Sequence, residues 1–150
     1  MIEVRKARHT EGNTIVDFMI AMAKETEGLQ LEKSVLLPGV NAVFDDERKG
    51  VYYVAEIDGE IAGSLMTTFE WSDWRNAWVL WVQSVYTLPK YRGRNVYKAL
   101  YQNLLSKVEA GEYAGIRLYV DKTNTNAQKV YEKLGMNGEH YHFYEWMSDY

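Results

Sequence analysis

The stretch from Trp78 to Leu88 carries no charged residue and is rich in β-forming side chains. A run of this kind reads as a central strand covered on both faces, and Pro89 stops it. The most regular amphipathic segment of the chain comes directly after it. Val96, Leu100, Leu104 and Val108 form an apolar stripe through Asn95–Glu109 and predict a helix. A doubly covered strand feeding a strong helix restricts the chain to an α/β architecture in which helices shield the sheet from both sides.

Periodicity and turn chemistry give the other elements. Ile2 to Ala7 alternates as a strand, and Glu11 to Glu25 sets Ile15, Phe18, Met19 and Met22 at helical spacing until Gly28. Ser34 to Asp46 reads as a second helix, with Pro38 expected in its first turn. Val51 to Ile57 and Ile61 to Trp71 read as strands joined by the hairpin signal Asp58-Gly59. Ile116 to Val120 is expected as a strand, Asn124 to Leu134 as a helix closed by Gly135, and His140 to Met147 as a last strand. The strands Trp78–Leu88 and Ile116–Val120 are expected to diverge at one end. No repeat or linker breaks the sequence, so residues 1–150 are read as one domain, a length that suits a single core.

Composition narrows the function. The 150 residues are 47% hydrophobic and 25% charged, with a formal net charge of −4, which speaks against a general nucleic-acid binder. The absence of cysteine excludes disulfides, Cys-ligated zinc and an acyl-cysteine intermediate on this chain. His9, His140 and His142 have no metal-ligand spacing, so no metal is expected. The longest early apolar run, Ile15 to Ala23, is broken by Asp17 and is too short to span a bilayer. No membrane partner and a cytoplasmic location are the expectations, and a homodimer stays open.

Between the uncharged strand and its helix lies the basic loop Pro89-Lys90-Tyr91-Arg92-Gly93-Arg94-Asn95. The free N–H groups of a helix start and its dipole make an anion site, to which Arg92 and Arg94 add charge and Gly93 close backbone approach. A pyrophosphate suits such a site. Neither a Walker loop nor a three-glycine dinucleotide fingerprint is present, and on this loop alone a plain strand-helix turn with solvated bases explains the residues equally well. A second segment, Asn124-Thr125-Asn126-Ala127-Gln128-Lys129-Val130-Tyr131-Glu132-Lys133-Leu134-Gly135-Met136, adds another strand-helix unit.

Together the two segments resemble the GNAT (N-acetyltransferase) superfamily. Its acetyl-CoA loop typically reads Arg-x-x-Gly-x-Gly/Ala, and its next unit Asn-x-x-Ala-x-x-x-Tyr before Gly-Phe. Here Arg92 opens the loop, Asn95 and Tyr97 stand at its two glycine positions, and Asn124, Ala127, Tyr131 and Gly135-Met136 match the second unit. The resemblance implies a mixed, mostly antiparallel sheet with splayed central strands and helices on both faces. It also implies acetyl-CoA as co-substrate, held by the backbone of Val85 and Thr87 along the pantetheine arm and by Arg92, Gly93, Arg94, Asn95, Val96 and Tyr97 around the pyrophosphate. Asn124 accompanies them as a cofactor residue. An amine would attack the thioester directly, a backbone N–H near Val85 would hold the oxyanion, and Tyr131 would protonate the departing thiolate.

The carboxylate that many relatives carry on the fourth strand has no counterpart between Trp78 and Leu88. The base is expected elsewhere or is water, which Gln83 and Ser84 could orient; Glu70, at the end of the third strand, is the acidic candidate. Glu25, Trp71 and Asp73 are expected to meet the acceptor, carboxylates beside ring faces being suited to a cation. Glu27, Gln83 and Ser84 lie in the same regions, and depth near Trp81 and Gln83 would set acyl length. A non-catalytic acyl-CoA-binding module and a transferase of a different acyl group are the alternatives, with a nucleotide-binding α/β protein a distant third. The identity of the acceptor amine is not legible.

Overall fold

Asp58 and Gly59 both adopt positive φ, 51° and 80°, and so form the two-residue turn that matches the natural twist of paired strands. They join β2 (Val51–Ile57) to β3 (Glu60–Ser72). This hairpin is the centre of a computed structural model that describes residues 1–148. Before it come β1 (Ile2–Lys6), α1 (Gly12–Glu27) and α2 (Lys33–Asp45); after it come β4 (Ala77–Thr87), α3 (Val96–Glu109), β5 (Gly115–Leu118) and α4 (Thr125–Lys133). The five strands lie in the order β1-β2-β3-β4-β5, with the first three pairings antiparallel. β5 returns beside β4 through the α3 crossover, and the Ala114 N–H donates to the Trp78 carbonyl at 2.8 Å, so both strands start at one end. The result is the mixed α/β sheet expected from the sequence. The chain divides into two compact units, Met1–Arg117 and a second that begins at Leu118.

Strand alternation assigns the two faces of the sheet in the first unit. Tyr52 and Met66, paired in register, pack with Ile15, Val16 and Val40 beneath α1 and α2. Their neighbours Tyr53 and Leu65 point the other way, to the α3 side, where Val96, Leu100, Tyr101 and Leu104 are buried. Leu100 and Leu104 are essentially solvent-free, and each contributes about 1.5–3 kcal/mol of burial. α3 presses so closely on the sheet that β3 has a glycine opposite it. A Cβ on Gly63 would lie 2.8 Å from both the Tyr86 carbonyl oxygen and Val96 Cγ1.

Two local expectations change. Pro38 sits inside α2 rather than in its first turn, where the lost N–H and the ring both disturb the helical ladder at Ser34. The segment His140–Met147 forms no strand among the described residues. Its alternating aromatics satisfy the pattern of a half-buried strand, but a strand needs a neighbour to complete its hydrogen bonds. Within the second unit, that segment instead stacks Phe143 on Tyr119 with ring centroids 4.7 Å apart.

Candidate functional site

β4 is not a regular strand. Opposite it, β3 advances two residues from Ser64 to Met66 while β4 advances three, from Tyr86 to Gln83. The extra residue is a β-bulge, and Ser84 absorbs it at φ 55°. The bulge has two consequences. It restores Tyr86 to the α1 face, on which Gln83 also lies, and it interrupts the ladder hydrogen bonding around Val85.

Beyond β4 the chain makes one tight turn. Pro89–Tyr91 is a single 3-10 turn, with the Tyr91 N–H bonded to the Leu88 carbonyl at 2.9 Å and that of Arg92 to the Pro89 carbonyl at 3.2 Å. The turn is pinned from below. Tyr91 is buried, its phenol donates to Glu60, and Lys90 pairs with the same carboxylate at 2.7 Å. The Arg94 guanidinium lies 5.3 Å from the centre of the Tyr91 ring.

Residues 92–95 are exposed, and two of them are left-handed: Gly93 at φ 79° and Asn95 at φ 64°. A Cβ at Gly93 would meet nothing within 4 Å, so this glycine serves backbone geometry and open space, not packing. Asn95 adopts the conformation that its side chain tolerates better than most. It occupies the cap position of α3 without a side-chain hydrogen bond to the helix, which leaves the first-turn N–H groups of α3 to an external acceptor. With Arg92 extended and Gly93 left-handed, the chain turns tightly into the open start of α3, whose N–H groups and dipole favour an anion. Tyr97, at the other glycine position, stacks along the helix on Tyr101, with centroids 6.2 Å apart. The loop therefore fits a diphosphate.

Arg92 anchors the loop to α1. Its Nε donates to the Thr87 carbonyl at 3.1 Å and its second terminal nitrogen to Glu25 Oε2 at 2.7 Å. Glu25 Oε1 accepts from the Tyr86 phenol at 2.9 Å, and the guanidinium lies 5.5 Å from the Tyr86 ring centre. Arg92 first, and Tyr86 second, hold the Glu25 carboxyl below the usual carboxylate range. This triad joins residues 67 positions apart, and no local pattern announces it.

The predicted acceptor residues do not converge. Glu70 lies on the α1 face, where its Oε1 accepts from Trp81 Nε1 at 3.0 Å and from Arg117 at 2.6 Å. These two donors, Trp81 before Arg117, lower its pKa. Trp71 is its neighbour in the strand and so occupies the opposite face, pairing edge to face with Trp78 at 5.1 Å. Trp71 and Glu70 therefore stand on opposite sides of the sheet. Asp73 Oδ1 accepts the Trp74 N–H at 3.0 Å in the exposed turn between β3 and β4. Glu25 lies on the α1 face with Glu70, but Tyr86 and Glu70 are separated along the ladder by six β3 positions, roughly 20 Å at strand rise.

In the second unit, the Asn-x-x-Ala spacing has a direct meaning. Asn124 caps α4 by accepting the Ala127 N–H at 3.1 Å. Gln128 reaches back to the carbonyls of Asp121 and Lys122 at 3.2 and 3.1 Å and fixes the entry to the helix. Tyr131 is half-buried on α4, its carbonyl accepts the Met136 N–H at 3.0 Å, and desolvation pushes its phenol above the ordinary tyrosine value.

Residues 16–136 match the sequence model of the Acetyltransferase (GNAT) family. The chain is 40% identical to a solved structure described as a possible acetyltransferase from Clostridium difficile 630, over 100% of this chain and 99% of that one, with a TM-score of 0.91. A predicted acetyltransferase with acetyl-CoA from Clostridium acetobutylicum shares the fold at 18% identity and a TM-score of 0.72, covering 100% of this chain and 96% of that one. So does a ribosomal-protein-alanine N-acetyltransferase from Brucella melitensis biovar Abortus 2308, at 15% identity and a TM-score of 0.79, over 99% of this chain and 100% of that one.

Proposed function

The chain belongs to the GNAT acetyltransferase family, and from that premise we propose that it moves an acetyl group from acetyl-CoA directly to a primary amine in a ternary complex. The observation that carries this reading is the exposed loop of residues 92–95, with left-handed Gly93 and Asn95 beside the open start of α3. Backbone N–H groups from Arg92 to Val96 bind the diphosphate, and Arg92 and Arg94 supply charge. The backbone of Val85 and Thr87 pairs with the pantetheine arm as an added strand.

In the proposed reaction the amine nitrogen forms a bond to the thioester carbon, and the C–S bond breaks. The bulge at Ser84 supports the role of a backbone N–H near Val85 as oxyanion donor, because a bulge leaves backbone groups outside the ladder. Tyr131 gives its proton to the leaving thiolate. Water takes the amine's proton first, and Glu70 remains the proposed carboxylate base only through a relay of several waters, because it lies six strand positions from Tyr86; its lowered pKa keeps it ionised and makes it a weak base. Glu25, Trp71 and Asp73 remain the proposed acceptor contacts. Since Trp71 lies across the sheet from Glu70, Glu25 is the one of these that the α1 face favours.

A charge-assisted contact to phosphate is worth roughly 1.5–3 kcal/mol. Arg92→Ala and Arg94→Ala are each expected to weaken acetyl-CoA binding by about tenfold or more. Calorimetry that shows unchanged affinity in both variants would remove these residues from the site. The reaction itself is tested by thiol release from acetyl-CoA over a panel of primary amines. The absence of a carboxylate on β4, together with the engaged Glu70, favours one second reading: an acyl-CoA-binding domain without catalysis. Tight acetyl-CoA binding with no amine-dependent release would select it.

A further inference from the structure

We propose that Glu25 is a built-in competitor for the cofactor's diphosphate, lodged on Arg92 in the free protein and displaced when the cofactor arrives. This exchange presupposes that the 92–96 loop is the diphosphate site. Arg92 is the first cation of that loop, and one of its two terminal nitrogens already donates to an anion, Glu25 Oε2, at 2.7 Å. The same guanidinium is aimed by its Nε bond to the Thr87 carbonyl and by the Tyr86 ring beneath it. A diphosphate oxygen that takes the N–H now bonded to Glu25 displaces that carboxylate, and one held at the other terminal N–H groups is repelled by it at close range.

The exchange is graded by charge. Both partners are substantially exposed, at 48% and 38% of side-chain surface. An ion pair of that kind is weak, so a diphosphate held by several N–H groups and two arginines outcompetes it. A single carboxylate or chloride has no such advantage over Glu25. Glu25 therefore acts as a specificity residue, favouring multiply charged ligands over simple anions. It has a second partner to keep its place: the Tyr86 phenol still donates to Oε1 at 2.9 Å once Arg92 is gone. The released carboxylate, at the last turn of α1, then faces an acceptor without a cation neutralising it. By linkage, cofactor binding strengthens the binding of a cationic amine, and the amine strengthens cofactor binding by the same factor.

The test is calorimetric titration of CoA into the parent protein, Glu25→Gln, Arg92→Ala and the double variant, at low ionic strength. Gln keeps the shape and the bond from Tyr86 and removes the competing charge. Glu25→Gln is expected to bind CoA about three- to tenfold more tightly, on the scale of an exposed ion pair plus relieved repulsion. The gain is expected to shrink with added salt and to fall to about twofold or less in the Arg92→Ala background. Unchanged or weaker binding by Glu25→Gln, or a full gain that survives in the double variant, overturns the exchange and leaves the diphosphate site standing. No CoA binding by the parent overturns the diphosphate site and the exchange with it.

Discussion

Tyr131→Phe is expected to lower turnover by about 10²-fold or more, with folding and cofactor affinity nearly unchanged, on the usual scale of a general acid. Relative proton affinities set the terms. A reference phenol has a pKa of about 10 and a thiol about 8.5, so full transfer to a free thiolate is uphill by roughly 2 kcal/mol. Burial raises the Tyr131 phenol further. That shift keeps the donor protonated through neutral and moderately alkaline pH, and turnover loses its acid only as pH rises through the elevated value. The proton still helps, because it offsets charge while the C–S bond breaks and is then replaced from solvent. Phenylalanine keeps the ring on α4 and deletes only the hydroxyl. Kinetics on an accepted amine, run beside a thermal melt, check the claim; parental turnover would make Tyr131 a packing residue.

Gly63→Ala is expected to cost about 1–3 kcal/mol of stability, the range for adding a methyl to a packed interior. For a chain of this size that is a Tm lower by about 3–10 °C. The added carbon would stand 2.8 Å from the Tyr86 carbonyl and from Val96 Cγ1, and 3.3 Å from Thr87 Oγ1. A valine methyl can rotate away, but a strand carbonyl moves only with its strand. Relief therefore displaces the end of β4 or the first turn of α3, the two elements that frame the cofactor loop. Acetyl-CoA affinity should fall together with Tm. A melt and a titration that both match the parent would show that the close approach of β3, β4 and α3 does not shape the site.

The elements from β2 to α4 were legible because each has one dominant signal. Asp58-Gly59 names its turn, the α3 stripe names its buried face, and Asn124 sits three residues before Ala127 as a cap must. Asn95 in a glycine position was readable as a left-handed residue, and it is one. The bulge in β4 was not, since Gln83-Ser84-Val85 contains no glycine, proline or asparagine to mark it. Nor was the Glu25–Arg92–Tyr86 triad, which exists only once α1 and β4 pack together. The face that Trp71 takes is a different case. Sequence adjacency suggested a shared site with Glu70, while the strand period of two places adjacent residues on opposite faces. The His140–Met147 alternation shows the remaining limit: periodicity reports which side chains would share a face, not whether another strand lies alongside.

Direct transfer to an amine is most sharply tested by mass spectrometry of every species after the protein is mixed with acetyl-CoA and a panel of primary amines. Direct transfer requires that one or more amines gain a single acetyl group only when protein and acetyl-CoA are both present, while the protein incubated with acetyl-CoA alone keeps its mass. An acetylated protein that then passes its acetyl group on, or no acetylated amine although acetyl-CoA is bound, would contradict it.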